Sequence, residues 1–163
     1  LKHKAVLGVF ALKREKHTSE YGLYPGTIVI LDLDRFKEFT QTRGLSEYEP
    51  NFVTGELTKL VEWFAQKQGG VVVYGLDYER GTEEAIIEIP FARPEDVWED
   101  LKKIHKRIME AGASITIVAY EGLVSCKKAR NQREAYHATP WRRSALKKLK
   151  EAKRRGGGLL VVV

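Results

Sequence analysis

Residues 27–37 read TIVILDLDRFK. The first seven are β-branched or apolar except for Asp32, and the run is too short for a membrane span. It therefore reads as a buried central strand. Two carboxylates, Asp32 and Asp34, close it, and residues 34–42 continue as a short helix. Upstream, residues 5–12 (AVLGVFAL) read as a strand and residues 13–26 as a polar loop ending in a turn at Pro25-Gly26. Downstream, Glu49-Pro50 breaks the chain. Phe52, Leu57, Leu60, Val61, Phe64 and Ala65 then recur at helical spacing up to a stop at Gly69-Gly70.

Residues 71–77 and 84–89 have the pattern of a hairpin with Arg80-Gly81 in its turn. Pro94 suits the first turn of a helix, where its missing N–H costs nothing. Val97, Leu101, Ile104 and Ile108 form that helix's apolar stripe, and Ala111-Gly112 ends it. Residues 114–120 (SITIVAY) make another strand, and residues 127–140 a basic loop. Thr139 is placed to cap a helix that runs through Ala145, Leu149 and Ala152 to Gly156. Residues 159–163 form a last strand. Hairpin-linked strands mixed with helices predict an α+β fold, with helices covering one face of a mostly antiparallel sheet. Its inner part is an elaborated split βαβ, close to ferredoxin-like.

The chain has 163 residues and a formal net charge of +6, with 43% apolar and 31% charged residues. That composition excludes wholesale disorder. No stretch has the pattern of a signal peptide. The single cysteine, Cys126, excludes an internal disulfide, and no Cys/His cluster has zinc spacing. The expectation is one soluble cytoplasmic domain over residues 1–163, with an N-terminal extension at 1–26 and a core at 27–163. Few Met and Cys beside many Lys and Glu suit a thermophile source. Charge is unevenly spread. Residues 1–123 carry 16 Lys+Arg and 20 Asp+Glu, whereas residues 124–163 carry 12 Lys+Arg and two acids, Glu134 and Glu151. Such asymmetry fits either a solvated basic helix or a polyanion partner, RNA or DNA bound through Arg142, Arg143 and Lys147.

Three places carry chemistry. Asp32 and Asp34 sit at a strand–helix junction, and Mg²⁺ takes hard oxygen ligands from one or two carboxylates plus phosphates. Asp34 equally suits a helix cap. The hairpin brings a further acid, Asp77 or Glu79, to a strand end, and a pair of carboxylates there suits phosphoryl transfer. The last helix ends Lys153-Arg154-Arg155, where cations suit both the helix dipole and phosphate oxygens. Trp63, Trp98, Trp141 and His105 read as structural.

Taken in order, these places resemble one family. Asp32-Leu33-Asp34-Arg35-Phe36-Lys37 resembles the D-[IL]-D-x-F-K opening of GGDEF-type nucleotidyl cyclase domains, a branch of the palm superfamily. Tyr74-Gly75-Leu76-Asp77 stands where that family has its Y-G-G-D-E-F hairpin. Leu149 to Gly156 is similar to its closing L-Y-x-A-K-x-x-G helix. The resemblance implies a palm fold that binds a nucleoside triphosphate with Mg²⁺ for cyclase or nucleotidyl-transfer chemistry. The metal ligands it implies are Asp32, the Leu33 carbonyl, and Asp77 or Glu79. It implies phosphate contacts at Phe36, Lys37 and Lys153, and a nucleotide contact at Thr40. The chain departs from the pattern at Leu76 and Tyr78 in the hairpin. Thr40 and Gln41 replace the Asn and Asp of the family, and Leu45 replaces its His after Gly44. These departures open the alternative of a degenerate palm module that binds nucleotide or nucleic acid without chemistry.

Overall fold

The computed structural model describes residues 22–163. The strand expected at 5–12, and the loop up to residue 21, lie outside the described residues. The chain runs β1 (Tyr24–Leu33), α1 (Phe36–Thr42), α2 (Phe52–Gln68), β2 (Val71–Tyr74), β3 (Glu84–Pro90), α3 (Pro94–Glu110), β4 (Ile115–Val124), α4 (Gln132–His137), α5 (Pro140–Arg154) and β5 (Leu160–Val162). One five-stranded sheet has the order β2-β3-β1-β4-β5. All neighbours are antiparallel except β5, which runs parallel to β4. The expected α+β, ferredoxin-like palm architecture is the observed one. The run at residues 27–33 is the central strand, with the hairpin beside it.

The reason lies in β1. Ile28, Val29, Ile30 and Leu31 are all fully buried. Alternate residues of a strand point to opposite faces, so a continuous apolar run needs cover on both. Val29, Leu31 and Leu33 pack with Leu57, Val61 and Phe64 of α2 and Leu101, Ile104 and Ile108 of α3. Ile28 and Ile30 pack with Ala135 and Tyr136 of α4 and Ala145 and Leu149 of α5. Helices thus cover both faces, which corrects the one-faced arrangement expected from the sequence. Each such fully buried side chain contributes about 1.5–3 kcal/mol.

Two local expectations are also corrected. Pro25-Gly26 is not a turn but part of β1, Pro25 paired with β4 and Gly26 with both β3 and β4. The Pro25 carbonyl accepts from the Phe91 N–H at 2.6 Å. A side chain at residue 26 would run into the Ile89 carbonyl, so only glycine lets the strands close there. The basic segment 127–140 is not all loop. It contains α4, started by Asn131, whose side chain accepts from the Glu134 N–H. Six residues with only Ala135 and Tyr136 buried carry too little periodicity to show in sequence.

The other helix ends behave as their residues dictate. Asn51 caps α2, and Gly69 ends it in the left-handed region at φ 65°. Thr139 caps α5, accepting from the Arg142 N–H at 3.1 Å. Among the described residues no helix is long and apolar enough to cross a membrane.

Candidate nucleotide site

The Asp32 end of β1 gathers four elements. Asp32 is in register with Glu84 of β3 on one side and Thr116 of β4 on the other. Registered residues of antiparallel strands share a face, so Asp32 and Glu84 point together toward the α4–α5 layer. From α5, Lys153 reaches down into this end. Its Nζ lies 3.4 Å from Asp32 Oδ2, 3.0 Å from Asp34 Oδ1 and 3.3 Å from the Leu33 carbonyl.

The two aspartates differ in kind. Asp34 is buried and accepts from Ser114 Oγ (2.6 Å), Thr116 Oγ1 (2.7 Å), the Gly158 N–H (2.8 Å) and Lys153 Nζ. Burial opposes its ionisation, but these four donors outweigh it and hold its carboxyl below the usual value. Asp34 therefore ties β1, β4 and the α5–β5 turn together rather than capping α1. The N-cap of α1 is Arg35, in the left-handed region at φ 46° and without a side-chain cap. Gly157 passes so close that a Cβ would stand 2.7 Å from the Asp34 carboxyl carbon. His105 holds the same turn, 2.7 Å from the Gly158 carbonyl.

Asp32 is partly exposed, and Lys153 is the one cation beside it among the described residues. Burial pushes its carboxyl up to about 7, Lys153 opposes the shift, and the Glu84 charge adds to it. Glu84 is clamped from α4: Gln132 Nε2 donates to Oε1 at 2.8 Å and Tyr136 Oη donates to Oε2 at 2.7 Å. Burial, with the neighbouring Glu84 charge, pushes the Tyr136 phenol up as well, so it stays a donor.

Asp77 lines the same cleft as Glu84, and Glu79 lies on the hairpin turn. Asp77 Oδ1 accepts from the Glu79 and Arg80 N–H groups at 2.9 and 2.8 Å and so closes its own turn. Glu79 is exposed on that turn. The acid set beside Asp32 is Glu84, which sequence reading missed. Glu84 opens the return strand of the hairpin, and the register of β3 against β1 sets it opposite Asp32. Gly75, at φ 103°, lies against the Glu84 carbonyl, where no side chain fits. A cleft of about 230 Å³ lined by Tyr74, Gly75, Asp77, Arg80, Glu83 and Glu84 opens beside this strand end.

Phe36 stacks on Phe39 against the core, with ring centroids 6.3 Å apart, and Lys37 is exposed. Thr40 is buried, and its hydroxyl donates to the Lys37 carbonyl at 2.9 Å. Arg142, expected to meet RNA or DNA, is buried instead. Its guanidinium lies 2.6 Å from Glu88 Oε1 of β3, and both side chains are out of solvent. Arg142 falls in step with Ala145, Leu149 and Ala152, the buried stripe of α5, so helical phase turns it inward. Arg143 and Lys147 are exposed.

No family model matches the sequence, and no curated protein does. Solved structures do match by fold. One is a microbial GGDEF domain, described in its interaction with bis-(3′,5′)-cyclic di-GMP. It is 20% identical, covers 93% of this chain and 83% of that one, and superposes with a TM-score of 0.50. Another is the diguanylate cyclase SiaD in complex with its activator SiaC from Pseudomonas aeruginosa. It is 17% identical, with coverage of 98% and 57% and a TM-score of 0.47. The chain has the GGDEF-type palm fold.

Proposed function

We propose that the chain binds a nucleoside triphosphate together with Mg²⁺ at the Asp32 end of β1. The observation that carries this is Lys153, whose ammonium is held between Asp32 Oδ2, the Leu33 carbonyl and Asp34 Oδ1. A cation is already needed there. With Glu84 added, the negative charge exceeds what one lysine offsets, and Asp32 retains a proton up to about pH 7.

Among the described residues no three His, Cys, Asp or Glu converge as a metal cage. Mg²⁺ does not need one, since one or two carboxylates suffice when phosphates complete the shell. Asp32, Glu84 and the Leu33 carbonyl are the hard oxygen donors this end of the sheet offers. Glu84 joins the set expected from the family pattern, in which Asp77 or Glu79 stands, and Asp77 lines the same cleft. When bound, Mg²⁺ would neutralise phosphate charge for displacement at phosphorus, by cyclisation or nucleotidyl transfer. Lys153, no longer needed by Asp32, is then free to meet phosphate oxygens. The uncapped turn at Phe36 and Lys37 offers backbone N–H groups to the same phosphates. Thr40 acts only through the Lys37 carbonyl that it holds.

A second reading, binding without chemistry, is favoured by one observation: Asp77 uses its Oδ1 to close its own turn. Calorimetry of ATP and GTP with Mg²⁺, with product analysis of the same mixtures, separates the two. Asp32→Asn is expected to weaken Mg²⁺–nucleotide binding by about tenfold or more, the scale seen when a metal site loses a supporting group. Equal affinity in wild type and Asp32→Asn overturns the site. Binding without product selects the second reading.

A further inference from the structure

The twelve cations of residues 124–163 divide by use. Arg142 and Lys153 point inward, as described. Arg130 and Lys148 pair with Glu134 and Glu151 at 3.0 and 3.6 Å. The other eight have no carboxylate partner among the described residues. Four of them, Arg143, Lys147, Lys150 and Arg154, are exposed on α5. Their steps of four, three and four residues place them in one row along one helix face. At 1.5 Å per residue the row is about 16 Å long. Between α4 and α5 a cleft of about 360 Å³ opens beside it, lined by Arg133, Tyr136 and His137 on one side and Leu146 and Lys150 on the other.

Three kinds of partner attract cations, and the surface distinguishes them. A membrane surface requires an exposed apolar face opposite the charges. A protein interface centres on aromatic and apolar anchors. The large apolar side chains that stand exposed, Tyr48, Phe52, Tyr78 and Phe91 foremost, all lie outside α4 and α5. The apolar residues of these two helices pack against the sheet, with Tyr136 and the partly buried Leu146 also lining the cleft. What remains outside is a row of cations without anchors, and that suits a phosphodiester backbone. The rest of the chain adds direction. α2 and α3 carry seven acids and six bases, whereas α4 and α5 carry eight bases and two acids, so a polyanion is drawn to the α4–α5 layer rather than to the opposite one.

We infer that the α4–α5 layer binds a nucleic-acid strand through its phosphates, without reading sequence. Arg143, Lys147, Lys150 and Arg154 track the backbone, and Arg133 and His137 flank it across the cleft. This surface is separate from the nucleotide site and stands or falls without it. Tyr136, which lines the cleft, also donates to Glu84, so the strand runs one side chain away from Asp32.

Fluorescence anisotropy with labelled oligouridylate, oligothymidylate and a mixed-sequence duplex, from about 50 to 300 mM KCl, is the test. Wild type is expected to bind with log K falling linearly against log salt. The variant Arg143→Gln/Lys147→Gln/Lys150→Gln is expected to flatten that slope by about 2, at roughly 0.7 per single-strand phosphate released. It should melt with the wild type, since exposed substitutions are nearly neutral. Lys102→Gln/Lys103→Gln, on the opposite layer, should leave the slope alone. Lys153→Ala should weaken Mg²⁺–nucleotide binding without changing the slope, which keeps the two sites distinguishable. The three probes show whether RNA, DNA or duplex is preferred. No binding at 50 mM KCl, or an unchanged slope in the triple variant, overturns the inference. Displacement by polyglutamate at equal charge concentration also overturns it, in favour of an acidic protein partner.

Discussion

Asp32 and Asp34 lie on the same strand end and share Lys153, yet they load folding in opposite directions. Asp34 is held below its ordinary value by four donors. Its contribution to stability is present above the usual carboxylate range and is lost as pH falls through it. Asp32 is raised from 3.8 to about 7. Between those values the folded state keeps a proton that the unfolded chain has released. Stability from Asp32 is therefore full at about pH 4 and lost as pH rises toward about 7. Asp32→Asn imitates the protonated carboxyl and is expected to remove that loss. In EDTA, the melting temperatures of variant and wild type should nearly coincide near pH 4 and separate toward pH 8, with the variant higher. Parallel curves would show that Asp32 ionises at its ordinary value. The D-x-D pattern is plain in the sequence, but nothing in it tells the two roles apart. Ser114, Thr116 and Gly158, 80 or more residues away, decide which aspartate is satisfied.

At the scale of elements, α5 shows how one helix serves three surfaces. Its buried stripe carries Arg142 to Glu88, its last turn carries Lys153 to Asp32, and its outer face carries the cation row. The Glu88–Arg142 pair joins β3 to α5 through the interior. Ser125 Oγ and the Lys127 carbonyl also accept from Arg142, while Glu88 Oε2 and Arg142 Nε have no partner among the described residues. Removing one member leaves the other buried and uncompensated. Arg142→Met is expected to cost about 3–5 kcal/mol in urea denaturation. Glu88→Met/Arg142→Met is expected to recover most of that loss, because both desolvation costs vanish together. A double variant as unstable as the single would show that the pair itself, rather than its isolation, matters. Arg142 and Arg143 are indistinguishable as residue types. Phase relative to Ala145 and Leu149 separates them, a signal available in the sequence, whereas the partner Glu88 was not.

For the molecule as a whole, the sheet order sets where opening is easiest. β1 lies between β3 and β4 and is buried on both faces, while β2 and β5 are short edge strands. Amide hydrogen exchange is expected to be slowest in residues 28–31 and in their β4 partners, Ala119 to Ile117 included, opening only with global unfolding. β5 amides should exchange through local opening at lower cost. Equal protection across all five strands would contradict this. The apolar run of β1, the helix stripes and the Thr139 cap were legible because they depend on periodicity and local backbone chemistry. So was the GGDEF-type palm order of elements. The cover on both faces of the sheet, the pairing of Asp32 with Glu84, the meeting of Arg142 with Glu88 and the satisfaction of Asp34 belong to the tertiary structure. Each depends on which distant residue arrives across a strand or from a helix, and on burial that turns a carboxylate's charge from cheap in water to costly without partners.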